Sequence, residues 1–274
     1  MFYDAKENEN KLKSIISQTK VFLLYMDGTV YLENELIGDM INTLRAIRRS
    51  GRRIVYFTNN SSKTVKEYEE KLVRLGIFGQ EDEVYTSGVA TAEYLNEFHA
   101  GRKVYLVGTE GLRGEFAAAG VPLADEGCGA EIGVLAYDTT LTYEKLVKLN
   151  RMIAEGKPYI ATHPDAVCPA KGVYPPDAGS FIELLKCSSG RYPDVICGKP
   201  YTVMGDCIKR RLRLPSENIC MVGDRPHTDI RFANNNGFHG ILVFSGETDE
   251  KAAENSPDRA EAYADSLNAL VRFL

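Results

Sequence analysis

The sequence has no tryptophan, only 4 histidines and no pair of cysteines spaced as C-x-x-C. Its 6 cysteines stand mostly among apolar residues. That setting is typical of buried, reduced thiols and not of a disulfide framework or a zinc site. We therefore expect no disulfide and no structural zinc.

Long hydrophobic runs and an excess of positive charge are also missing. No apolar run approaches the ~20 residues that a helix needs to cross a bilayer. The first residues, MFYDAKENENK, are polar and do not resemble a signal peptide. The formal net charge is -5, which provides no basic surface for nucleic acid. We expect a cytoplasmic protein that has neither nucleic acid nor membrane as a partner.

What is present is a chain of 274 residues in which short β-rich runs alternate with helical patterns. This alternation is typical of parallel strands joined by helices, so the predicted class is α/β. The first units are a strand over 21 to 27, a helix closed by Gly51, and a strand over 52 to 60. Comparable units lead to a predicted closing helix near 257 to 273.

A second set of strands and helices begins at KVYLVG and ends before the polar link SSGRYPD. Because this set has its own strands and helices, it suggests an inserted domain. The predicted boundaries are a core of residues 1 to 100 and 194 to 274, and an inserted α/β domain of residues 101 to 193.

Four polar clusters each follow an apolar strand: MDGT, FTNNSS, CGKP and VGDRPHTD. In open parallel sheets, ligands bind beyond the carboxyl ends of the strands, so we expect the four clusters to converge on one site. Carboxylates suit a hard cation, whereas a hydroxyl, backbone amides at a helix start and one ammonium suit an anion. The sequence therefore predicts a pocket for Mg²⁺ and a phosphate. Its residues are Asp27, Thr58, Asn59, Asn60, Lys199, Asp224 and Asp229.

A simpler interpretation exists for the same residues. Aspartates after strands often form turns or helix caps, and Thr58, Asn59 and Ser61 could cap the helix expected near residue 62. Capping and phosphate binding use the same backbone amides, so one role does not exclude the other. The joint placement of the carboxylates with Lys199 favours the site.

In their order along the chain, YMDGT, FTNNSS, GKP and GDRPHTDI resemble the motifs of haloacid dehalogenase (HAD) superfamily phosphatases. The resemblance is to the NagD-like branch, which includes 4-nitrophenylphosphatases and sugar-phosphate phosphatases. In the inserted segment, LAYDTTLTYEKL, ATHPD and PPDAGS resemble the α/β cap of that branch. The resemblance implies a Rossmann-like core with a cap that closes over the site and selects the substrate.

The resemblance also implies catalytic roles. Asp27 would be the general acid and base, Thr58 and Asn59 would bind the phosphate, and Lys199 would neutralise its charge. The attacking aspartate of the family corresponds to Tyr25 here. A phenol with an ordinary pKa of ~10 is neutral at pH 7 whereas a carboxylate with a pKa of ~3.9 is ionised, so both the nucleophile and a metal ligand are lost.

Further roles follow from the same resemblance. The side chain of Asp224 and the carbonyl of Asp27 would bind Mg²⁺, while Asp229 would hold the metal's water shell or orient the lysine. His163 and Asp165 would face the substrate from the cap. The implied substrate is a small phosphomonoester, such as a sugar phosphate or a related metabolite, and caps of this kind can form homodimers.

Three hypotheses about Tyr25 remain open. Water or Tyr25 itself attacks the phosphorus in a functioning phosphatase. Alternatively, the protein is a pseudoenzyme that binds a phosphorylated metabolite without hydrolysing it. In the third case the chain is a variant of an active enzyme, whose activity Tyr25→Asp restores.

Overall fold

The structure, a computed structural model, describes residues 3 to 125, 128 to 168 and 174 to 274. The chain divides into two compact units. Unit 1 consists of Met1–Thr58, Tyr68–Tyr85 and Ile208–Leu274, and unit 2 consists of Asn59–Glu67 and Thr86–Cys207. Unit 2 thus takes in segments on both sides of the range 101 to 193, and the domain boundaries at those residues stay a prediction.

Ten helices and twelve strands of the described residues are named here in chain order. The helices are α1 (Ala5–Gln18), α2 (Met40–Arg49), α3 (Val65–Arg74), α4 (Ser87–Phe98), α5 (Glu110–Ala118), α6 (Tyr143–Ala154), α7 (Ala178–Ser189), α8 (Thr202–Leu212), α9 (Arg231–Asn236) and α10 (Glu250–Asn255). The strands are β1 (Val21–Leu24), β2 (Tyr31–Leu32), β3 (Glu35–Leu36), β4 (Arg53–Thr58), β5 (Glu83–Thr86), β6 (Val104–Val107), β7 (Ile132–Leu135), β8 (Tyr159–Ala161), β9 (Val195–Ile196), β10 (Ile219–Gly223), β11 (His239–Val243) and β12 (Ala262–Ala264). Within the described residues, no helix has both the length and the apolar composition required to cross a bilayer.

Unit 1 is built on a six-stranded sheet in the order β12-β11-β10-β1-β4-β5. The pairings from β12 to β4 are parallel. All four residues of the central strand β1 are buried, as expected for a parallel strand covered on both faces. The predicted α/β class with a parallel sheet is confirmed.

Helix α2 shows how the local pattern produces an element. Its buried positions Met40, Leu44 and Ile47 recur every three or four residues and line one face. The chain then turns at Gly51, whose φ of 78° lies in the left-handed region that favours glycine. The predicted helix and its glycine stop are therefore confirmed.

Unit 2 contains a second parallel sheet in the order β6-β7-β8-β9. Successive residues of β6 point to opposite faces. Leu106 belongs to one buried cluster with Phe116 of α5, and Val107 belongs to another with Leu149 of α6. Unit 2 thus has an apolar core on each side of its sheet.

Both ends of the chain differ from the sequence prediction. Helix α1 was not predicted, because its mean composition is polar and only Leu12, Ile15 and Ile16 are buried. The predicted closing helix at 257 to 273 is wrong in its first half, where Ala262–Ala264 form β12, whereas Leu267–Phe273 form a 3₁₀-helix. Tyr263 pairs with Leu242 of β11 as part of β12, so sheet pairing outweighs the helical propensity of the alanine-rich segment.

The cysteines also differ in part from the expectation. None of the 6, all of which lie in the described part of the chain, forms a disulfide, and Cys197, Cys207 and Cys220 are buried. Cys128 and Cys187 are exposed, so the expectation that the thiols are buried is wrong for these two.

Candidate active site

The polar clusters of unit 1 lie at one edge of its sheet. Three neighbouring parallel strands, β10, β1 and β4, end at this edge. Asp27 follows β1, Asp224 follows β10, and Thr58 is the last residue of β4. The carboxyl ends of such strands share an edge. The pairing continues beyond β1, since the backbone N–H of Tyr25 donates to the carbonyl of Val222 at 3.0 Å.

Asp224 is an enclosed carboxylate of this edge, with 1% of its surface exposed. Its Oδ2 accepts a hydrogen bond of 2.8 Å from the backbone N–H of Glu247. Its Oδ1 is buried and accepts no hydrogen bond from any residue that the structure describes. Gly28 and Gly246 pack so closely on this carboxylate that neither position has room for a Cβ atom.

The electrostatic state of Asp224 follows from this enclosure. Burial, together with the nearby charge of Asp229, raises its pKa to about 7, and the Glu247 amide and Arg225 only partly oppose the shift. A buried carboxylate oxygen without a donor is costly unless a cation or a proton satisfies it. The carboxylate therefore fits a hard divalent cation such as Mg²⁺, although the described residues contain no cluster of three or more His, Cys, Asp or Glu side chains arranged for a metal.

Asp229 lies in a wide helical turn, Pro226–Ile230, directly after β10. Its side chain is fully buried, and its Oδ2 accepts a hydrogen bond of 3.2 Å from the backbone N–H of Arg225. A Cβ at Gly223 would collide with this side chain. Asp229 thus fixes the backbone that follows Asp224, as well as contributing negative charge.

Asp27 is partly buried in the loop after β1. Burial raises its pKa, and the charges of Lys71 and Arg225 and the backbone N–H of Glu33 act in the opposite direction. The loop is held by a hydrogen bond of 2.8 Å from Ser245 Oγ to the carbonyl of Gly28. A raised pKa lets a carboxyl keep its proton to a higher pH than a surface aspartate does.

Tyr25 lies beside a guanidinium group. Arg225 Cζ is 5.4 Å from the centroid of the Tyr25 ring, and Arg225 Nε is 2.8 Å from Glu247 Oε2. Burial opposes the charge of Arg225, but Tyr25 and the neighbouring carboxylates outweigh it and raise the pKa of Arg225. The ion-pair partner of Arg225 is therefore Glu247, which lies on a different loop.

The other predicted site residues lie in unit 2. Lys199 is fully buried, and its backbone N–H donates to Asn59 Oδ1 at 2.8 Å. Asn59 Nδ2 donates to the carbonyl of Lys199 at 2.9 Å and to Asp165 Oδ1 at 3.0 Å. The structure thus brings both Asp165 and Lys199 into direct contact with Asn59.

Asn60 shapes the loop itself. Its Oδ1 accepts hydrogen bonds of 2.9 Å from both the backbone N–H and the hydroxyl of Ser62. Ser61 Oγ is 3.0 Å from Thr162 Oγ1 and accepts a hydrogen bond of 3.0 Å from the backbone N–H of Tyr137. The loop is therefore held by side-chain bonds, but these do not cap a helix: α3 begins at Val65, and Thr64 Oγ1 accepts from the Glu67 N–H at 3.1 Å.

His163 has no exposed surface. Its Nε2 is 2.9 Å from Asp177 Oδ1, and its Nδ1 is 3.0 Å from Thr162 Oγ1. Burial opposes protonation, but the carboxylate of Asp177 outweighs it and raises the pKa of His163. Asp177 also caps α7 by accepting from the Ala178 N–H at 2.6 Å. The assignment of His163 and Asp165 to the substrate stays a prediction.

Sequence reasoning missed three residues that hold these groups. Ser245 and Glu247 follow β11, and Ser87 donates a hydrogen bond from its hydroxyl to the carbonyl of Asn59. The position of SGE after the apolar run HGILVF offered the same signal as the other strand ends. Ser87 gave no such signal, because it begins a helix.

Two family models match parts of this chain. Residues 22–122 match the haloacid dehalogenase-like hydrolase family, and residues 196–270 match a HAD-hydrolase-like family. An acid sugar phosphatase of Staphylococcus haemolyticus is 32% identical over 93% of this chain and 96% of its own length.

Two solved structures are similar to this chain over most of its length. The crystal structure of a 4-nitrophenylphosphatase from Thermotoga maritima superposes with a TM-score of 0.90 at 38% identity, over 94% of this chain and 98% of that one. A structure described as a nagD protein gives a TM-score of 0.87 at 38% identity, over 93% and 98%. The chain therefore belongs to the haloacid dehalogenase-like hydrolases and, within them, to the NagD-like branch.

Proposed function

We propose that this protein is a Mg²⁺-dependent phosphatase of small phosphomonoesters, in which Tyr25 lowers the rate of turnover. The substrate class is sugar phosphates or related metabolites, with 4-nitrophenyl phosphate as an artificial substrate. The names of the similar proteins, an acid sugar phosphatase and a 4-nitrophenylphosphatase, support this class.

One observation carries the proposal: the buried Oδ1 of Asp224, which no described residue satisfies, at the carboxyl edge of a parallel sheet. A purely structural aspartate in such a place would be expected to have both oxygens bonded. Asp224 instead keeps one oxygen for a cation. When bound, Mg²⁺ would be held by the side chain of Asp224 and the carbonyl of Asp27, with Asp229 at its water shell, and it would supply positive charge opposite the phosphoryl oxygens.

Three side chains of the protein would act on the phosphate and on the leaving group. Thr58 would donate its hydroxyl to a phosphoryl oxygen, and the ammonium of Lys199 would neutralise the charge that develops there. Asp27, with its raised pKa, would protonate the oxygen of the leaving alcohol as water attacks the phosphorus from the opposite side. The proton that the water loses would pass to solvent, from which Asp27 would be protonated again.

A second candidate function is a binding protein for a phosphorylated metabolite, without turnover. The contact between Arg225 and the Tyr25 ring favours it. The ring holds a bulky, neutral group where the family has its attacking carboxylate, and the guanidinium beside it adds positive charge that suits an anion.

The test compares the native protein with Tyr25→Asp. Hydrolysis of 4-nitrophenyl phosphate is followed with Mg²⁺ and with a chelator, over a panel that also contains sugar phosphates. We expect Tyr25→Asp to raise turnover by at least about 100-fold, because an ionised nucleophile replaces a neutral phenol. The variant Asp27→Asn should abolish whatever turnover either protein shows.

Binding separates the two candidates. If the native protein is inert but binds inorganic phosphate in the presence of Mg²⁺, and Tyr25→Asp is active, the binding function holds for the native chain. If neither protein hydrolyses any ester and neither binds phosphate, both candidates are wrong.

A further inference from the structure

The side chain of Asn59 is completely occupied by other protein groups. It is 2% exposed. One N–H of Nδ2 donates to the Lys199 carbonyl at 2.9 Å and the other donates to Asp165 Oδ1 at 3.0 Å. Oδ1 accepts the Lys199 N–H at 2.8 Å. Because a primary amide has only two N–H donors, none is left for a ligand.

These bonds hold the backbone of Lys199 at two atoms, its N and its carbonyl O. The amide of Asn59 binds both the N–H and the C=O of the same residue, so the backbone from which the lysine side chain starts cannot rotate without breaking one bond. The preceding residue, Gly198, leaves no space for a side chain, since an added Cβ would lie 2.7 Å from Asn59 Oδ1 and 2.8 Å from the Thr162 carbonyl. Close approach of the two loops therefore depends on glycine at position 198.

We infer that Asn59 is a positioning residue for Lys199 and that Asp165 orients its amide. The inference rests on the proposed function for the role of Lys199, and it changes the role expected for two residues. The side chain of Asn59 acts on the lysine backbone and not on the phosphate, and Asp165 acts through Asn59.

A buried network holds Asn59 in turn. The hydroxyl of Ser87 donates to the carbonyl of Asn59 and lies 3.4 Å from His163 Nδ1. His163 Nε2 is 2.9 Å from Asp177 Oδ1. Ser87, His163 and Asp177 are all buried, so these contacts are shielded from water and the network is stiff.

The experiment uses the full chain and Asn59→Ala. The first readout is the exchange rate of the Lys199 amide proton, measured by NMR without ligand. The second is the dissociation constant of inorganic phosphate with Mg²⁺, measured by calorimetry. We expect the Lys199 amide to exchange at least about 10-fold faster in Asn59→Ala and phosphate to bind about 10-fold more weakly.

The matched control is Asn96→Ala, which removes an asparagine that donates to the carbonyl of Ala119 at 2.8 Å in the same unit. This control should leave the Lys199 exchange rate and the phosphate affinity unchanged. A general loosening of unit 2 would change both variants alike.

A second variant tests the chemistry of the amide. Asn59→Asp keeps an acceptor for the Lys199 N–H but removes both donors and places a carboxylate against Asp165. It should weaken phosphate binding, and adding Asp165→Asn should recover part of the loss, because a donor again joins positions 59 and 165. If Asn59→Ala does not fold, this recovery of phosphate binding in the double variant tests the inference in its place.

The outcomes separate the two proposals. If the native protein binds no phosphate, the proposed function fails and the amide exchange alone decides the positioning role. If the native protein binds phosphate and Asn59→Ala binds it equally well, or if the exchange of the Lys199 amide is unchanged, the inference is overturned.

Discussion

Asp224 shows how the environment of one side chain sets its chemistry. The aspartate has 1% of its surface exposed and one oxygen that no described residue satisfies. Burial and the charge of Asp229 raise its pKa to about 7. In the absence of metal, ionising this group costs free energy, so it lowers stability at a pH where a surface aspartate would have no effect.

We therefore expect Asp224→Asn to be more stable than the native protein at pH 8 without metal, by about 3 kcal/mol. The folded pKa lies above the unfolded value, so the native protein loses stability as pH rises from about 4 to 7. Urea unfolding at pH 5 and at pH 8 with a chelator measures the difference. The difference in stability between the two proteins should be smaller at pH 5 than at pH 8.

Magnesium should make the native protein more stable than Asp224→Asn. It should stabilise the native protein and leave Asp224→Asn unaffected, since only the former retains the carboxylate. Asp125→Asn, which changes a carboxylate that is 96% exposed, is the control and should show neither effect. Equal stability of Asp224→Asn and the native protein at pH 8 would contradict the expectation.

At the scale of elements, the start of α7 depends on one buried residue. Asp177 caps the helix at 2.6 Å from the Ala178 N–H and pairs with His163 at 2.9 Å. The cap of α6 is simpler, because Thr142 Oγ1 accepts only a 3.3 Å bond from the Lys145 N–H. Loss of the Asp177 side chain therefore removes a helix cap and the partner of a buried histidine, whereas loss of the Thr142 side chain removes a helix cap.

We expect Asp177→Ala to lower the free energy of unfolding by about 3 kcal/mol and Thr142→Ala to lower it by about 1 kcal/mol. The larger loss has two parts: the cap and a buried imidazole left without its carboxylate. Urea unfolding of both variants at pH 7 gives the comparison. Losses of equal size would show that the pair with His163 adds nothing.

At the scale of the whole molecule, unit 2 presents an apolar surface that bears on the predicted homodimer. Tyr143 and Val147, one helical turn apart on α6, are 82% and 38% exposed. Large exposed apolar residues that share a helix face are typical of interfaces. The predicted dimer through the inserted domain thus has a candidate contact.

We expect sedimentation experiments to show a dimer that Tyr143→Glu weakens at least about 10-fold. Val73→Glu, at a valine of unit 1 that is 61% exposed, is the matched control and should leave association unchanged. A native chain that stays monomeric at high micromolar concentration would show the dimer prediction to be wrong.

Much of the fold could be predicted because local patterns and tertiary packing agree. Strand β1 is a short apolar run that becomes a buried central strand, and α2 has apolar residues at helical spacing and ends at Gly51. The prediction failed where they disagree. The segment around Tyr263 has helical composition, but pairing with β11 makes it a strand.

The sequence by itself determined the α/β class and the order of the motifs, because these depend on residue types and on their spacing. Only the tertiary structure decided which groups satisfy one another. It left one oxygen of Asp224 without a donor among the described residues, paired Arg225 with Glu247, and committed the amide of Asn59 to the backbone of Lys199. Hydrogen bonds and buried charges depend on distances between residues far apart in the chain, and such distances exist only after folding.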